Sequence, residues 1–254
     1  MQRQHKEERK QFFFEKKNQK TLGLAQVAEK GYLCQMVMLR RRSRLSIAIQ
    51  RELVKHFVAG APARIAAPIV GVNRHTATLF YHKLRETISD HLAAETPELF
   101  GGEVEVDESD FGGKRKGKRG RGAAGKVPVF GLLKRGGKVH ALVIPDAKSK
   151  TLLPIMQARI KLDSVVCTDS FAAYDVLDVA GFRHLRVNHT ERFVEGRCHI
   201  NGIENFRSKA KRHLRRYNGI PRQNFPLYLK ECEWRFNYRP ARHRLEVLQK
   251  WLNL

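Results

Sequence analysis

The chain has 254 residues, 42% of them hydrophobic and 29% charged, with 49 Lys and Arg against 25 Asp and Glu for a formal net charge of +24. That balance permits a sizeable core and argues against wholesale disorder, while no apolar run approaches the ~20 residues that cross a bilayer and no signal peptide opens the chain. So large a positive excess repels itself unless a polyanion neutralises it, which points to nucleic acid, with a solvated basic surface or a ribosome-associated protein as the alternative.

Residues 1–42 read as a basic arm with little fold pattern. Met1 to Lys20 is polar around Phe12-Phe13-Phe14, and four arginines fall between Arg40 and Arg44. A start of translation at Met36 or Met38 is a second reading of this stretch. From 43 to 90 the pattern turns helical. Ile47, Ile49, Leu53, Val54, Phe57 and Val58 form an apolar stripe that ends at Ala59-Gly60. A short segment from Ala63 to Val70 stops at Gly71-Val72-Asn73, where Asn73 can cap a third helix from Arg74 to Ile88. Ala77, Phe80, Tyr81 and Leu84 then face inward. Helix, short helix, Gly-containing turn and basic helix is the helix-turn-helix order, which would set Arg74, His75, Thr76 and Thr78 against major-groove edges. An ordinary three-helix bundle fits the same pattern, and Pro68 removes a hydrogen bond from the middle helix. Residues 91–101, with Glu95-Thr96-Pro97-Glu98, read as a linker.

From Gly102 the period changes to that of strands. Glu103-Val104-Glu105-Val106-Asp107 alternates, with valines on one face and three carboxylates on the other. A Gly-laced basic loop follows, with Lys114, Arg115, Lys116, Lys118, Arg119 and Arg121 as candidate phosphate contacts. Val127–Lys134 and Lys138–Ile144 suit a hairpin turning at Arg135-Gly136-Gly137. Lys148–Ile160 has helical spacing, Ser164–Thr168 a strand leading into Asp169-Ser170, and then come a helix through Tyr174 and a strand from Arg183 to Asn188. A long amphipathic helix spans Asn201 to Tyr217. It sets Glu204, Arg207, Ser208, Lys211 and Arg215 on one face and Ile203, Phe206, Ala210, Leu214 and Tyr217 on the other. The order describes an α/β layer, a mixed sheet flanked by helices, over residues 102–220, with a helical segment at 221–254.

Asp107 ends the first strand, Asp169 follows a later one, and Glu204 opens the covering helix. Carboxylates so placed can converge on Mg²⁺, which prefers such oxygens, and two ions ~3.5–4 Å apart can activate the attacking oxygen and stabilise the leaving oxygen of a phosphodiester. The cysteines (Cys34, Cys167, Cys198, Cys232) contain no C-x-x-C pair, so neither a disulfide framework nor a zinc ribbon is expected, and a reducing cytosol fits. His189 with Cys198-His199 lacks a second pair at zinc spacing and is not preferred as a metal set.

Several runs resemble the DDE transposases of bacterial insertion sequences, in particular the IS1595 family with its ISXO2-like core. They are Gly102-Glu103-Val104-Glu105-Val106-Asp107-Glu108-Ser109 with Phe111-Gly112-Gly113, Gly117 to Gly122, Val166-Cys167-Thr168-Asp169 and Val187-Asn188-His189. The likeness continues through His199 to Phe206, Ala210 to Arg215 and Leu229 to Asn237. It covers about Ser43 to Asn237. The resemblance implies an RNase H-like fold, before which the pattern at 43–90 would place an all-α helix-turn-helix domain. It further implies cutting at terminal inverted repeats and 3′-OH strand transfer with Mg²⁺ or Mn²⁺. Asp107, Asp169 and Glu204 take the triad positions, and in some branches Asn201 with Lys211 would serve as the reserve pair. Arg207, Lys211 and Arg215 would hold phosphates of inverted-repeat and target DNA, in a homodimer or higher oligomer, in the cytoplasm near a bacterial nucleoid. Arg207 stands where the resemblance leads one to expect Trp, Asp110 where Tyr is frequent, and residues 1–42 match nothing in it. The readings of a different class are a non-catalytic DNA-binding protein that only occupies such ends, and a general nuclease of the same fold.

Overall fold

A computed structural model describes residues 44–95, 100–112, 126–169, 182–187, 199–217 and 219–254. The basic arm, the run from Lys114 to Arg121, the expected helix through Tyr174, and His189 and Cys198 all lie outside these residues. From Ile47 to Leu254 the chain forms one compact unit.

Three helices come first, α1 (Ile47–Ala59), α2 (Ala63–Val70) and α3 (Arg74–Ala94). Of the stripe on α1, Leu53, Val54, Phe57 and Val58 are buried, and on α3 so are Ala77, Phe80, Tyr81 and Leu84. Between α2 and α3, Gly71 takes the left-handed conformation (φ 74°) that stops a helix without a Cβ penalty. Asn73 then accepts the His75 amide at 2.7 Å, satisfying one of the donors that a helix start leaves open. Pro68 sits on the exposed side of α2, where its lost hydrogen bond falls in the last turn. α3 runs past Ile88 to Ala94, because its final turns rest on a C-terminal helix, α7, described below.

The sheet holds β1 (Glu103–Phe111), β2 (Val127–Lys134), β3 (Val139–Val143), β4 (Val165–Asp169) and β5 (Arg183–Val187) in the order β3-β2-β1-β4-β5. The β1–β2 and β2–β3 pairs are antiparallel, while the β1–β4 and β4–β5 pairs are parallel. This is a mixed sheet flanked by helices, compatible with an RNase H-like domain. α4 (Ser149–Arg159) covers one face, over Val104, Val106, Phe130, Leu132 and Val166. α5 (Asn201–Leu214) and α6 (Phe225–Asn237) cover the other, over Val129, Leu133, Val139 and Cys167. The alternation in β1 thus sends its valines to α4 and its acids to α5, as its sequence predicts. Glu105 and Asp107 are nevertheless buried, since β1 is central and covered on both sides, while Glu103 at its start stays exposed.

α7 (Ala241–Leu252) ends the chain against α1 and α3. Trp251 of α7 stacks on His91 of α3 with ring centroids 4.2 Å apart. α6 also closes the free edge of β3. Asn237 accepts the Val139 amide and donates to its carbonyl, and Glu233 accepts the Ala141 amide. Side chains thereby occupy backbone groups that an edge strand would otherwise offer to another chain. No helix among the described residues is long and apolar enough to cross a membrane. Cys232 is a buried free thiol, whereas Cys167 is disulfide-bonded, which the isolated spacing of the cysteines does not predict.

Candidate functional site

β1 and β4 pair in parallel register with Glu105 opposite Cys167. Two residues further along both strands, that register brings Asp107 opposite Asp169 on the same face of the sheet. Their carboxylates do converge. Asp107, Asp169 and Glu108 each place an oxygen within 4.8 Å of the other two, with Asp107 and Glu108 buried and Asp169 half-buried. Glu108 has no place in the sequence-derived triad, because strand alternation assigns it to the face of the valines. The run Asp107-Glu108-Ser109-Asp110 at the end of a strand is the signal that marks it.

A second helix-to-sheet relationship fixes α5 over this group. Glu105, fully withdrawn from water, accepts the Ile203 amide at 2.9 Å and so caps the start of α5. Arg135 from the hairpin turn pairs with Glu103, lies 3.5 Å from Glu105 and donates to the His199 carbonyl at 2.9 Å. His199 Nδ1 approaches Glu105 at 3.3 Å. Gly202 makes the close approach feasible. A Cβ there would stand 2.4 Å from Leu133 Cδ2 and 2.8 Å from Glu105 Oε2.

So held, α5 divides as its sequence predicts. Ile203, Phe206, Ala210 and Leu214 are buried, and Ser208, Lys211 and Arg215 are exposed. Asn201, the first residue of the helix, is also exposed, and Glu204 is half-buried. Glu204 does not join the converging oxygens. Arg207 does reach them, through an ion pair of its Nη1 with Asp107 Oδ2. Its position one turn beyond Glu204 suggests pairing with that acid, but α5 lies across β1 and aims the guanidinium at the strand instead. Burial lowers the proton affinity of Arg207. Lys211, one turn further on, sits 5.4 Å from the Phe111 ring centre, and partial burial together with the charge of Arg207 lowers its pKa. Lys126 Nζ lies 4.0 Å from Asp110. Carboxylates and cations thus meet at one end of the sheet, beneath α5.

In the N-terminal helices, Arg74, His75 and Thr78 are exposed at the start of α3, and Thr76 is half-buried. Thr78 Oγ1 donates to the Arg74 carbonyl at 2.9 Å.

Residues 99–237 match the family model described as ISXO2-like transposase domain. The chain is similar to an uncharacterized transposase-like protein of Haemophilus influenzae, 51% identical over 113 residues, which is 44% of this chain and 92% of that protein. It is also similar to an uncharacterized protein in transposable element ISH50 of Halobacterium salinarum, 32% identical over 162 residues, or 57% of this chain and 55% of the relative.

Proposed function

The chain belongs to the family of ISXO2-like transposase domains, and from that premise we propose that it binds the ends of an insertion sequence and cuts and joins DNA there. The convergence of Asp107 and Asp169 from adjacent parallel strands carries this reading. Their donor atoms suit a divalent cation of the hard class: three carboxylates, two of them buried, offering oxygen only. Asp107, Asp169 and Glu108 would hold Mg²⁺ or Mn²⁺, with Glu204 added from α5. A two-metal centre at this place would activate the attacking oxygen and stabilise the leaving one.

The remaining work falls to the chain. The clamp of Glu105, Arg135 and Gly202 sets the pitch of α5, so that Glu204, Arg207, Lys211 and Arg215 face the same DNA. Arg207, Lys211 and Arg215 hold phosphates on either side of the reacting bond, and the arginines bind them through two parallel N–H donors. In the cut, water attacks phosphorus and the P–O3′ bond breaks, leaving a 3′-OH. That hydroxyl then attacks a phosphorus of the target, and as the new 3′-O–P bond forms the target's own P–O3′ bond breaks and its 3′-hydroxyl leaves. Arg74, His75, Thr76 and Thr78 read the terminal inverted repeat as a helix-turn-helix would, and Lys114, Arg115, Lys116, Lys118, Arg119 and Arg121 add contacts without sequence preference. Two ends must be held together for joining, which calls for a homodimer or higher oligomer.

A second reading has one observation in its favour. Arg207 engages Asp107, an arrangement that suits a chain occupying ends without cutting them. One experiment separates the two. A labelled duplex carrying the inverted repeats that flank the gene is incubated with protein and Mg²⁺ or Mn²⁺. A transposase yields a nick with a 3′-OH and joined products, both lost in Asp107→Asn and Asp169→Asn. Retention of the duplex with no nick in either metal supports the non-catalytic reading.

A further inference from the structure

We propose that Arg207 is an internal placeholder at the carboxylate site, and that a DNA phosphate must draw it away before the site takes up a divalent cation. The inference rests on the reading of Asp107, Glu108 and Asp169 as the metal ligands. Asp107 is buried, so its charge requires a partner inside the protein, and the Arg207 guanidinium is that partner. A cation at the same oxygen would sit against a fixed positive charge in a region of low dielectric, where like charges repel strongly. Guanidinium and cation therefore exclude one another at Asp107 Oδ2.

The geometry also supplies a release. The Arg207 side chain is 29% exposed, enough for an outside anion to reach it, and its helix presents Lys211 one turn on and Arg215 one turn beyond that. A backbone phosphate laid along this face offers Arg207 two oxygens in place of one. Accepting them frees Asp107 Oδ2. DNA binding and cation binding are then linked through one side chain, and linkage requires each to favour the other by the same factor. Free of DNA, the protein would hold its cutting site closed with its own arginine, which limits stray cleavage.

The test is a Mn²⁺ titration of the whole chain in the absence of DNA, followed by the electron paramagnetic resonance signal of the free ion. Wild type, Arg207→Gln, Asp107→Asn and the double variant are compared. The proposal expects Arg207→Gln to bind Mn²⁺ about ten-fold more tightly than wild type, and Asp107→Asn to abolish that gain. Arg207→Met is the substitute where the Gln variant does not fold by circular dichroism. In a second arm a short duplex, its own Mn²⁺ uptake subtracted, tightens binding in wild type and adds less in Arg207→Gln. Equal or weaker binding by both Arg207 variants without DNA, with Asp107→Asn still lowering it, overturns the placeholder and leaves the metal reading standing. Binding that no Asp107 substitution alters overturns both.

Discussion

Arg85 in α3 and Glu231 in α6 meet at 2.7 Å with both side chains withdrawn from water, although 146 residues separate them in sequence. Glu231 also takes Arg235 Nε at 2.8 Å and His213 Nε2 at 2.8 Å, so one carboxylate ties together α3, α5 and α6. Burial pushes its carboxyl up, but Arg235, Arg85 and His213 outweigh burial and hold it well below the usual carboxylate range. Arg85 lies over the Tyr228 ring, 3.9 Å from its centre. The remaining donors reach back to α1. Arg235 bonds to the carbonyls of Phe57 and Val58, and Arg216 bonds to that of Gly60 at 2.6 Å. These carbonyls lie at the C-terminal end of α1, where intrahelical donors run out and arginine is well suited to supply N–H groups. The N-terminal helices are thereby fixed to the helices that cover the sheet.

Removing that carboxylate should be costly. Glu231→Gln leaves Arg85 and Arg235 inside the protein without their counter-charge, and breaking a buried pair in this way costs about 3–5 kcal/mol. Arg242 and Glu246 are an exposed pair on α7, and losing it costs under about 1 kcal/mol. Urea midpoints of Glu231→Gln and Glu246→Gln measure the contrast. Similar losses in the two would show that the buried network does not hold the helices together.

Acid should loosen the protein early. His140 is buried and His213 half-buried, and desolvation lowers the pKa of each more than Glu233 or Glu231 raises it. Below the unfolded histidine value the unfolded chain binds protons that the folded one refuses, so stability falls as pH drops through about 6.5. The depressed Glu231 and Glu233 act later. Their contribution is complete above the ordinary carboxylate range and fades only as pH falls through their lowered values. Tm measured from pH 7.5 to 5 should decline, with a shallower decline in His140→Gln. A flat profile across that interval would mean that both histidines protonate freely in the folded protein.

Much of this architecture is legible in the sequence, and the failures share one cause. The stop at Gly71-Val72-Asn73, the hairpin at Arg135-Gly136-Gly137 and the two faces of α5 follow from local chemistry that packing does not override. Periodicity also finds Asp169, which ends β4, and Asp107, although Asp107 does not end its strand as the sequence suggests but lies in the middle of β1, whose pairing with β2 carries it on to Phe111. What it misses are acids inside the protein. Glu105, Glu108, Glu231 and Glu233 read as surface residues by pattern, yet each is buried. The reasons are tertiary: β1 has a helix layer on both faces, and α6 is enclosed by α3, α5 and β3. Partners such as Arg85 and Arg135 lie far off in sequence, and no local rule couples them. The aim of Arg207 was hidden likewise, because it depends on how α5 crosses β1.

DNA binding should divide by residue. With +24 of formal charge, affinity for any duplex should fall steeply with salt, because each neutralised phosphate releases counterions. Arg74, exposed at the start of α3, should contribute preference, so Arg74→Ala narrows the gap between cognate and unrelated duplexes by about 1–3 kcal/mol. Lys116→Ala should weaken all duplexes alike and reduce the salt slope by about one contact. Fluorescence anisotropy at several salt concentrations separates the two effects. Uniform weakening by Arg74→Ala would leave α3 without a reading role.

The carboxylates should not be equivalent in cleavage. Asp107→Asn and Asp169→Asn remove charges that converge from the two strands, and each should cut end cleavage to below about one-hundredth while DNA binding persists. Glu108 shares the group without belonging to the sequence-derived triad. Glu108→Gln should therefore cost less, about ten-fold, and raise the metal concentration needed for half-maximal rate. Glu204 is the sharper case, since it stands on α5 outside the converging oxygens. If DNA and metal complete the site from the helix side, Glu204→Gln is as damaging as the aspartate variants. Asn201 occupies the exposed start of the same helix, with Lys211 further along it. A normal rate in Glu204→Gln together with a dead Asn201→Ala would transfer the third position to Asn201 and make Lys211 its cationic companion. Single-turnover nicking at graded Mg²⁺, with binding checked for each variant, distinguishes these outcomes: a lost ligand changes the metal dependence, while a lost phosphate contact changes the DNA affinity.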